Sequence, residues 1–398
     1  MSYKAIQLSK AADIIVGFPF ASEKFNINAQ GTRLVRGKNI TTGILRWGDD
    51  TRWWDDSSID LSKYMLKADD IVIGMDGSLV GKNYAKISEN DLPLLLVQRV
   101  ACIRAKEGYD QRFLWGCIAS GNFERYIDSI KTGTSIPHIS GGQIGNYLIP
   151  DFDLQTQKKI AAILSALDEK IATNRAINEN LERQAQAFFQ ELFVDNADPE
   201  WAIGTINDLG AVVGGSTPSK AKPEYYTETG IAWITPKDLS VNKSKFISHG
   251  ENDITELGLK NSSATIMPEG TVLFSSRAPI GYIAVAAGEV ATNQGFKSIV
   301  PKPEIGTAFV YYFLKHNLPI IEGMASGSTF KEVSGSTMKG VPAVIPDTDT
   351  IARFNDFCSP IFAQQRILEE QNHSLAALRD NLLPKLMSGE IDVSAIQL

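Results

Sequence analysis

The sequence predicts an α+β protein. Two mixed α/β globular units are each followed by a long helix, the two helices pair as an antiparallel coiled coil, and the chain is one internal repeat with pseudo-two-fold symmetry. Three observations carry this. Blocks of the first half recur in the same order about 200 residues later. Each copy closes on a short apolar strand ending in Ile-Pro-Asp. After each Ile-Pro-Asp, a segment nearly free of Gly and Pro adopts a strict 4-3 spacing of seam positions.

Taken in chain order, Tyr3–Gly17 aligns with Trp201–Gly215, an apolar run ending in Gly before a turn. Gly31–Lys38 (GTRLVRGK) matches Gly230–Lys237 (GIAWITPK), and the stretch ending at Gly81 (IVIGMDGSLVG) matches that ending at Gly281 (TVLFSSRAPIG). Gly133–Ser140 (GTSIPHIS) matches Gly327–Ser334 (GSTFKEVS). In the first helix the seam is Ile160, Leu164, Leu167, Ile171, Asn174, Asn178, Leu181, Ala185, Phe188 and Leu192. The second repeats it with Phe354, Cys358, Ile361, Gln365, Leu368, Asn372, Leu375, Arg379, Leu382 and Leu386. From Ile160 to Leu192 such a helix extends roughly 50 Å, more than one small core needs, so it requires a partner. Asn178 and Asn372 take equivalent seam positions, where a polar side chain costs stability and fixes register. Pro360 is expected to break the second helix, starting its long part after Ser359, and Asp151 and Asp347 are expected to lie before the helices and cap them. The resulting division is 1–150, 151–194, 195–346 and 347–398.

Composition limits the function classes. With 43% hydrophobic and 21% charged residues, and no run near the roughly 18 apolar residues of a membrane span, the chain reads as a globular, non-membrane protein. Its N-terminus lacks the pattern of a secretory signal, which suggests a cytoplasmic location. The three cysteines and four histidines have no metal-ligand or disulfide spacing. A net charge of −7 argues against coating nucleic acid by charge alone, although residues 1–150 hold 18 Lys/Arg against 16 Asp/Glu.

No catalytic constellation stands out. Gly77-Ser-Leu-Val-Gly81-Lys82-Asn83 is one residue short of a phosphate loop and lacks its Ser/Thr, so it reads as a tight turn between strands. What remains is a set of polar loops able to read something. In the first unit Arg33, Arg36, Lys38 and Asn39 lie on a strand-to-loop passage near Arg46, Arg52, Trp47, Trp53 and Trp54, an interleaving that suits a nucleic-acid groove, although the tryptophans suit a core equally. In the second unit Lys220, Lys222, Lys237, Lys243, Lys245, Arg277 and the run Thr292, Asn293, Gln294 offer similar chemistry; Asn, Gln and Arg can pair with base edges in the major groove. Lys82, Thr134 and His138, with Ser328 and Lys331 in the second copy, complete the candidates for DNA contact. The seam residues Leu164, Leu167, Ile171, Asn174, Asn178, Leu181, Leu368, Asn372, Leu375 and Leu382 are the candidates for helix pairing and register. A protein-binding scaffold built on the helix pair, without DNA recognition, is the alternative.

The order of domain, helix, domain, helix, the turn Met75-Asp76-Gly77-Ser78 with Gly81-Lys82, the helix start IPDFDLQTQKKIAAILSALDEKI and the closing LRDNLLPKLMSGEIDVS (Leu378–Ser394) resemble the DNA-specificity (S) subunit of type I restriction-modification enzymes over essentially the whole chain. The resemblance implies a non-catalytic subunit whose two target-recognition domains each read one half of a bipartite site in double-stranded DNA. It implies helices that set the spacer and dock two adenine-N6 methyltransferase (M) subunits, with restriction (R) subunits joining to cut. It implies no cofactor in this chain, SAM, ATP and magnesium belonging to the partners, and weak DNA binding by the chain alone.

Overall fold

The computed structural model describes residues 4–133, 137–327 and 331–396. They form two compact units, one of residues 1–170 with 374–398 and one of residues 171–373.

In the first unit, strand Ala5–Gln7 passes through a single helical turn, Leu8–Ala11, into strand Ala12–Val16. Leu8 and Ala11 are fully buried, so the turn is pinned by its apolar side. Ala12–Val16 pairs with Val100–Ala105, which pairs with Ile71–Gly74 and so with Tyr84–Lys86, all antiparallel. Ile71–Gly74 and the stretch Val100–Ile103 are continuous apolar runs because both faces are covered. On one face Phe113, Leu114, Phe123 and Ile127 pack with Ile160, Leu164, Leu386 and Met387 of the long helices. On the other, Val72, Val100 and Cys102 meet Val35 and Leu96 of a smaller sheet, in which Thr32–Val35 runs parallel to Leu94–Leu96 and antiparallel to Trp53–Trp54.

The second unit repeats this plan. Gly210–Gly214, Lys297–Pro301, Val272–Ser276 and Ile280–Ala286 form the antiparallel sheet, with Phe246–Ile247 added in parallel at its edge. Ile231–Ile234 and Ala291–Thr292 form the parallel pair of a second sheet. The helical turn Ile206–Leu209 and strand Gly210–Gly214 stand 198 residues after their counterparts, as the sequence blocks align. Gly17 and Gly215 explain the glycine that closes this block: a Cβ on Gly17 would lie 2.2 Å from the Val97 carbonyl oxygen, and one on Gly215 2.1 Å from that of Asn293. Gly215→Ala is therefore expected to cost the second unit about 3 kcal/mol, a severe overpacking penalty. Gly214→Ala, with nothing within 4 Å, is expected to be neutral or slightly stabilising in its strand. Urea denaturation of the two variants side by side checks both signs.

The long helices are Leu154–Gln190 and Thr348–Met387, and each unit contains a stretch of both. In the first unit Arg379 Nη1 donates to Asp168 at 2.9 Å. In the second, Asn174 Nδ2 donates to Asn372 Oδ1 at 3.0 Å, Asn178 Nδ2 to the Gln365 carbonyl at 3.4 Å, and the rings of Phe188 and Phe354 stack at 6.0 Å. The partner position falls as the first helix advances, so the helices run antiparallel. Of the candidate seam residues Leu164, Ile171, Asn174 and Leu368 are buried, and Leu167, Asn178, Leu181, Asn372, Leu375 and Leu382 are half-buried. The polar register contact is thus Asn174 with Asn372, while Asn178 meets backbone.

Two expectations need correction. Pro360 does not interrupt the second helix, which continues through it. Pro360 is exposed, and so is Asp356, whose carbonyl loses its helical partner, so water can take that bond and no buried group is left unsatisfied. The first helix is capped by Asp153, not Asp151: its Oδ1 accepts from the amides of Gln155 and Thr156, both at 3.0 Å. Asp347 caps the second, accepting from the Thr350 amide at 2.8 Å.

Candidate nucleic-acid interface

In the first unit three turns meet at the ends of the strands. Met75 N donates to the Arg99 carbonyl at 2.9 Å, Ile139 N to the Met75 carbonyl at 2.9 Å, and Gly77 N to the Pro137 carbonyl at 3.0 Å. Thr132 and His138 exchange backbone hydrogen bonds at 3.1 and 2.8 Å, closing a hairpin beside the turn. Gly77 and Gly81 have φ of 95° and 91°, so the glycines of the near-miss phosphate loop serve a tight turn. This junction presents Asp76, Arg99 and His138. Arg99 Nε lies 4.0 Å from Asp76 Oδ2 with its side chain 65% exposed, and His138 Nε2 is 3.1 Å from the Thr132 hydroxyl. The Arg36–Asn39 turn flanks the junction, since a Cβ on Gly37 would stand 3.5 Å from the Asp76 carboxylate.

The candidates around this junction divide. Lys38 is exposed and pairs with Asp50 at 3.0 Å, and Lys82 pairs with Glu124 at 2.9 Å. Arg33, Arg36 and Asn39 are occupied within the fold. Arg33 Nη2 donates to the Asp91 carbonyl at 2.6 Å with its guanidinium 4.7 Å from the Trp47 ring, and Trp47 Nε1 donates to Asp91 Oδ1 at 2.9 Å. Arg36 donates to the Asp50 carbonyl. Asn39 is buried; its Oδ1 accepts from the Arg36 amide at 3.1 Å and its Nδ2 donates to the Arg46 carbonyl at 3.3 Å. An irregular loop leaves backbone groups without a ladder, and these polar side chains satisfy them. Trp54 is a core residue against Phe20 at 4.7 Å, and Trp53 is half-buried.

The second unit builds the same junction. Ser276 N donates to the Gly295 carbonyl at 2.7 Å, Val333 N to the Ser276 carbonyl at 3.0 Å, and Ser326 and Glu332 exchange backbone bonds at 3.1 and 2.9 Å. Arg277 Nη1 is 3.2 Å from Glu332 Oε2, and Lys297 Nζ is 3.7 Å from Glu332 Oε1. Arg277, Ala278, Pro279, Ile280, Glu322, Lys331 and Glu332 line a cavity of about 570 Å³. Gln294 is exposed and accepts from the Thr217 hydroxyl, whereas Asn293 Oδ1 closes its own turn on the Gly295 amide at 2.9 Å. Lys237 pairs with Glu251 at 2.6 Å, and Lys220 and Lys331 are exposed. Thr134 and Ser328 lie outside the described residues. The structure thus gathers Arg277, Lys331, Asn293 and Gln294 at or beside one junction and His138 at the other, with Lys38 next to it. Lys237 and Lys82 stand in ion pairs with Glu251 and Glu124.

Arg99 is the residue that sequence reasoning misses. Its signal lies in the repeat: Gly17 abuts Val97 as Gly215 abuts Asn293, so the turn Val97–Arg99 is the counterpart of Asn293–Gly295, with Arg99 at the place of Gly295.

Lys245, read from sequence as a surface cation, is buried instead. Its Nζ pairs with Glu182, donates to Gln365 Oε1 at 2.6 Å and to the Tyr312 hydroxyl at 3.2 Å, and sits 4.2 Å from the Phe362 ring centroid. Glu369 accepts from the amides of Lys245 and Phe246 at 2.8 and 3.0 Å, and Lys315 Nζ reaches Glu182 at 2.6 Å. Burial alone would push the Glu182 carboxyl up, but the charges and hydrogen bonds of Lys245 and Lys315 outweigh it and hold it at about 2. A lysine can be buried here because the Glu182 carboxylate, the Gln365 amide oxygen and the Tyr312 hydroxyl receive its three donors. In the first unit a Cβ on Gly116 would lie 2.6 Å from Met387 and 3.2 Å from Leu164, so the helix contact there is apolar and close-packed.

Residues 22–183 and 199–375 each match the type I restriction modification DNA specificity domain. The MjaIX type I restriction enzyme specificity subunit of Methanocaldococcus jannaschii is 39% identical over 191 residues, covering 46% of this chain and 44% of that subunit. The HindI specificity subunit of Haemophilus influenzae is 24% identical over 357 residues, covering 70% of this chain and 77% of that one. This chain therefore matches less than half the length of the first of these relatives. The crystal structure of the type I restriction-modification S subunit from M. genitalium superposes with a TM-score of 0.63 at 17% identity, covering 97% of this chain and 96% of that one, which shows a common fold. With two copies of the domain over most of its length, the chain belongs to the type I restriction-modification DNA specificity family.

Proposed function

We propose that the chain is the non-catalytic, DNA-reading subunit of a type I restriction-modification complex in the cytoplasm, each α/β unit reading one half of a bipartite duplex site. The observation that carries this reading is the pair of junctions: one backbone framework, built twice, presenting Asp76, Arg99 and His138 in one copy and Arg277, Glu332 and Gln294 in the other. A repeated frame with different polar side chains is what recognition of two different short sequences requires. The long helices, joining domains in the order domain, helix, domain, helix, set the gap between half-sites and dock two methyltransferase subunits. SAM, ATP and magnesium belong to those subunits and to the restriction subunits.

Charge supports the need for partners. Lys38, Lys82, Lys237, Arg99 and Arg277 all face carboxylates of this chain within 4.0 Å. Exposed pairs of this kind are worth about 0–1 kcal/mol and are breakable, but they cancel much of the charge that phosphate binding would use. The chain alone is expected to bind duplex DNA weakly, with an affinity at least tenfold below that of its complex with the methyltransferase subunit. Fluorescence anisotropy at several salt concentrations measures it, and equal affinity with and without the partner would count against this division of labour.

The decisive experiment is co-expression with a cognate methyltransferase subunit in a methylation-free host, followed by genome-wide mapping of N6-methyladenine. Methylation confined to one split motif with a fixed gap is the expected result. A stable complex that methylates nothing would favour the scaffold reading.

A further inference from the structure

The internal repeat supplies its own control for which side chains do the reading. At the two junctions the hydrogen-bonded frame is retained: the hairpin bond from Ile139 to Met75 recurs from Val333 to Ser276, and that from Met75 to Arg99 recurs from Ser276 to Gly295. Ser140 caps the helical turn after the first hairpin and Ser334 the one after the second. On this constant frame each junction carries an arginine facing a carboxylate, taken from different walls. In the first, Arg99 comes from the turn before the central strand and its acid, Asp76, from the neighbouring turn. In the second, Arg277 comes from that neighbouring turn and its acid, Glu332, from the hairpin.

Two further observations bear on whether these arginines are free to turn to a ligand. Each junction holds a non-glycine residue in the left-handed region, Arg99 itself at φ 67° and Ala278, next to Arg277, at φ 50°. Such a backbone is costly for a side chain with a Cβ and concentrates at functional sites. The pairs are also accessible, with side-chain exposures of 65% and 35% for Arg99 and Asp76 and 38% and 36% for Arg277 and Glu332. They add little stability, so an arginine can exchange its carboxylate for another acceptor at small cost.

Resting on the reading that each unit contacts one half-site, we propose that Arg277, held by its hydrogen bond to Glu332, reads a guanine in the half-site of the second unit, and that Arg99, 4.0 Å from Asp76, reads a guanine in that of the first. The planar fork of donors matches the O6 and N7 acceptors of guanine in the major groove, a geometry that lysine cannot reproduce. In the second unit the cavity beside Arg277, walled by Pro279 and Ile280, gives the base edge room, and Lys297 stays 3.7 Å from Glu332 to balance its charge when Arg277 turns to DNA.

The test uses the full chain co-expressed with its methyltransferase subunit, with the methylated motif read by sequencing. Arg277→Ala is expected to relax one guanine of the second half-site and lower methylation of the original motif at least tenfold, leaving the first half-site unchanged. Arg277→Lys keeps the charge and should fail to restore that guanine. Glu332→Gln should keep the same base but weaken discrimination several-fold, and Arg99→Ala should relax one guanine of the first half-site. Thermal melting of each purified complex controls for folding, and Arg277→Lys carries the test if the alanine variant is poorly folded. Wild-type motif and rate in Arg277→Ala and Arg99→Ala, or relaxation at a base other than guanine, would overturn the proposal while leaving the half-site reading intact. A wild-type complex that methylates no split motif would remove that reading, and the proposal with it.

Discussion

Lys245→Met destabilises the second unit by about 3 kcal/mol, the range expected when one member of a buried ion pair is removed. The methionine fills the aliphatic volume, so the loss comes from what is left behind. Glu182 keeps Lys315, the Tyr312 hydroxyl and a long contact from Gln365 Nε2 but loses its buried cation, and the Gln365 amide oxygen loses its donor. Urea denaturation measures the loss. Replacing Glu182 by Leu in the same chain should recover part of it, because Lys315 is 34% exposed and can turn to water, while the buried Tyr312 hydroxyl and Gln365 amide oxygen remain without their partners. A double variant no better than the single one would mean that packing, not charge, is what Lys245 supplies. The wild type also carries a pH signature. The folded carboxyl of Glu182 sits at about 2, against an ordinary value of 4.5. A depressed acid stabilises above the unfolded value, so this contribution is present above pH 4.5 and is lost as pH falls towards 2. Lys245→Met should flatten that part of the acid unfolding curve.

The same lysine shows where reading the sequence succeeds and where it stops. The repeat and the two helices are legible because they rest on spacing, which backbone geometry enforces: Leu164, Ile171 and Leu368 fall on the seam because 4-3 spacing keeps them on one face. Individual polar residues carry no such signal. Lys245 and Lys237 lie eight residues apart in similar surroundings, yet one is buried against helices more than 60 residues away in the chain on either side and the other is exposed. Asn39 and Arg33 look like groove residues in sequence because a loop that must satisfy its own backbone uses the same side chains as a loop that contacts a base. Pro360 fails as a helix breaker for a comparable reason: its cost depends on whether the lost hydrogen bond is buried, and here it faces solvent. Arg99 was recoverable in principle, through alignment of its turn with Asn293–Gly295, but that pairing becomes visible only when Gly17 and Gly215 are seen pressed against the two turns.

Four residues inserted between Asn174 and Asn178, matched by four between Leu368 and Asn372, are expected to lengthen the gap of the methylated motif and leave both half-sites unchanged. The paired insertion keeps the contacts on either side, since Asn174 still faces Asn372 and Asn178 still faces Gln365, and the new residues face each other. Four residues add roughly 6 Å of helix, close to two base-pair steps of roughly 3.4 Å. Duplex DNA does not stretch that far cheaply, so methylation of the original motif should fall by about a hundredfold or more, and a motif with the longer gap should replace it. The insertion also adds about 40° of helical rotation beyond a full turn, against roughly 70° for two base pairs, so some of the new activity is spent in twisting protein or DNA. Inserting into the first helix alone shifts Asn178 and the seam beyond it by one turn against an unchanged partner, and should lower stability before it changes the gap. If the matched variant kept its gap and changed its half-sites, the helices would not be the ruler, and spacing would have to come from the docked subunits instead.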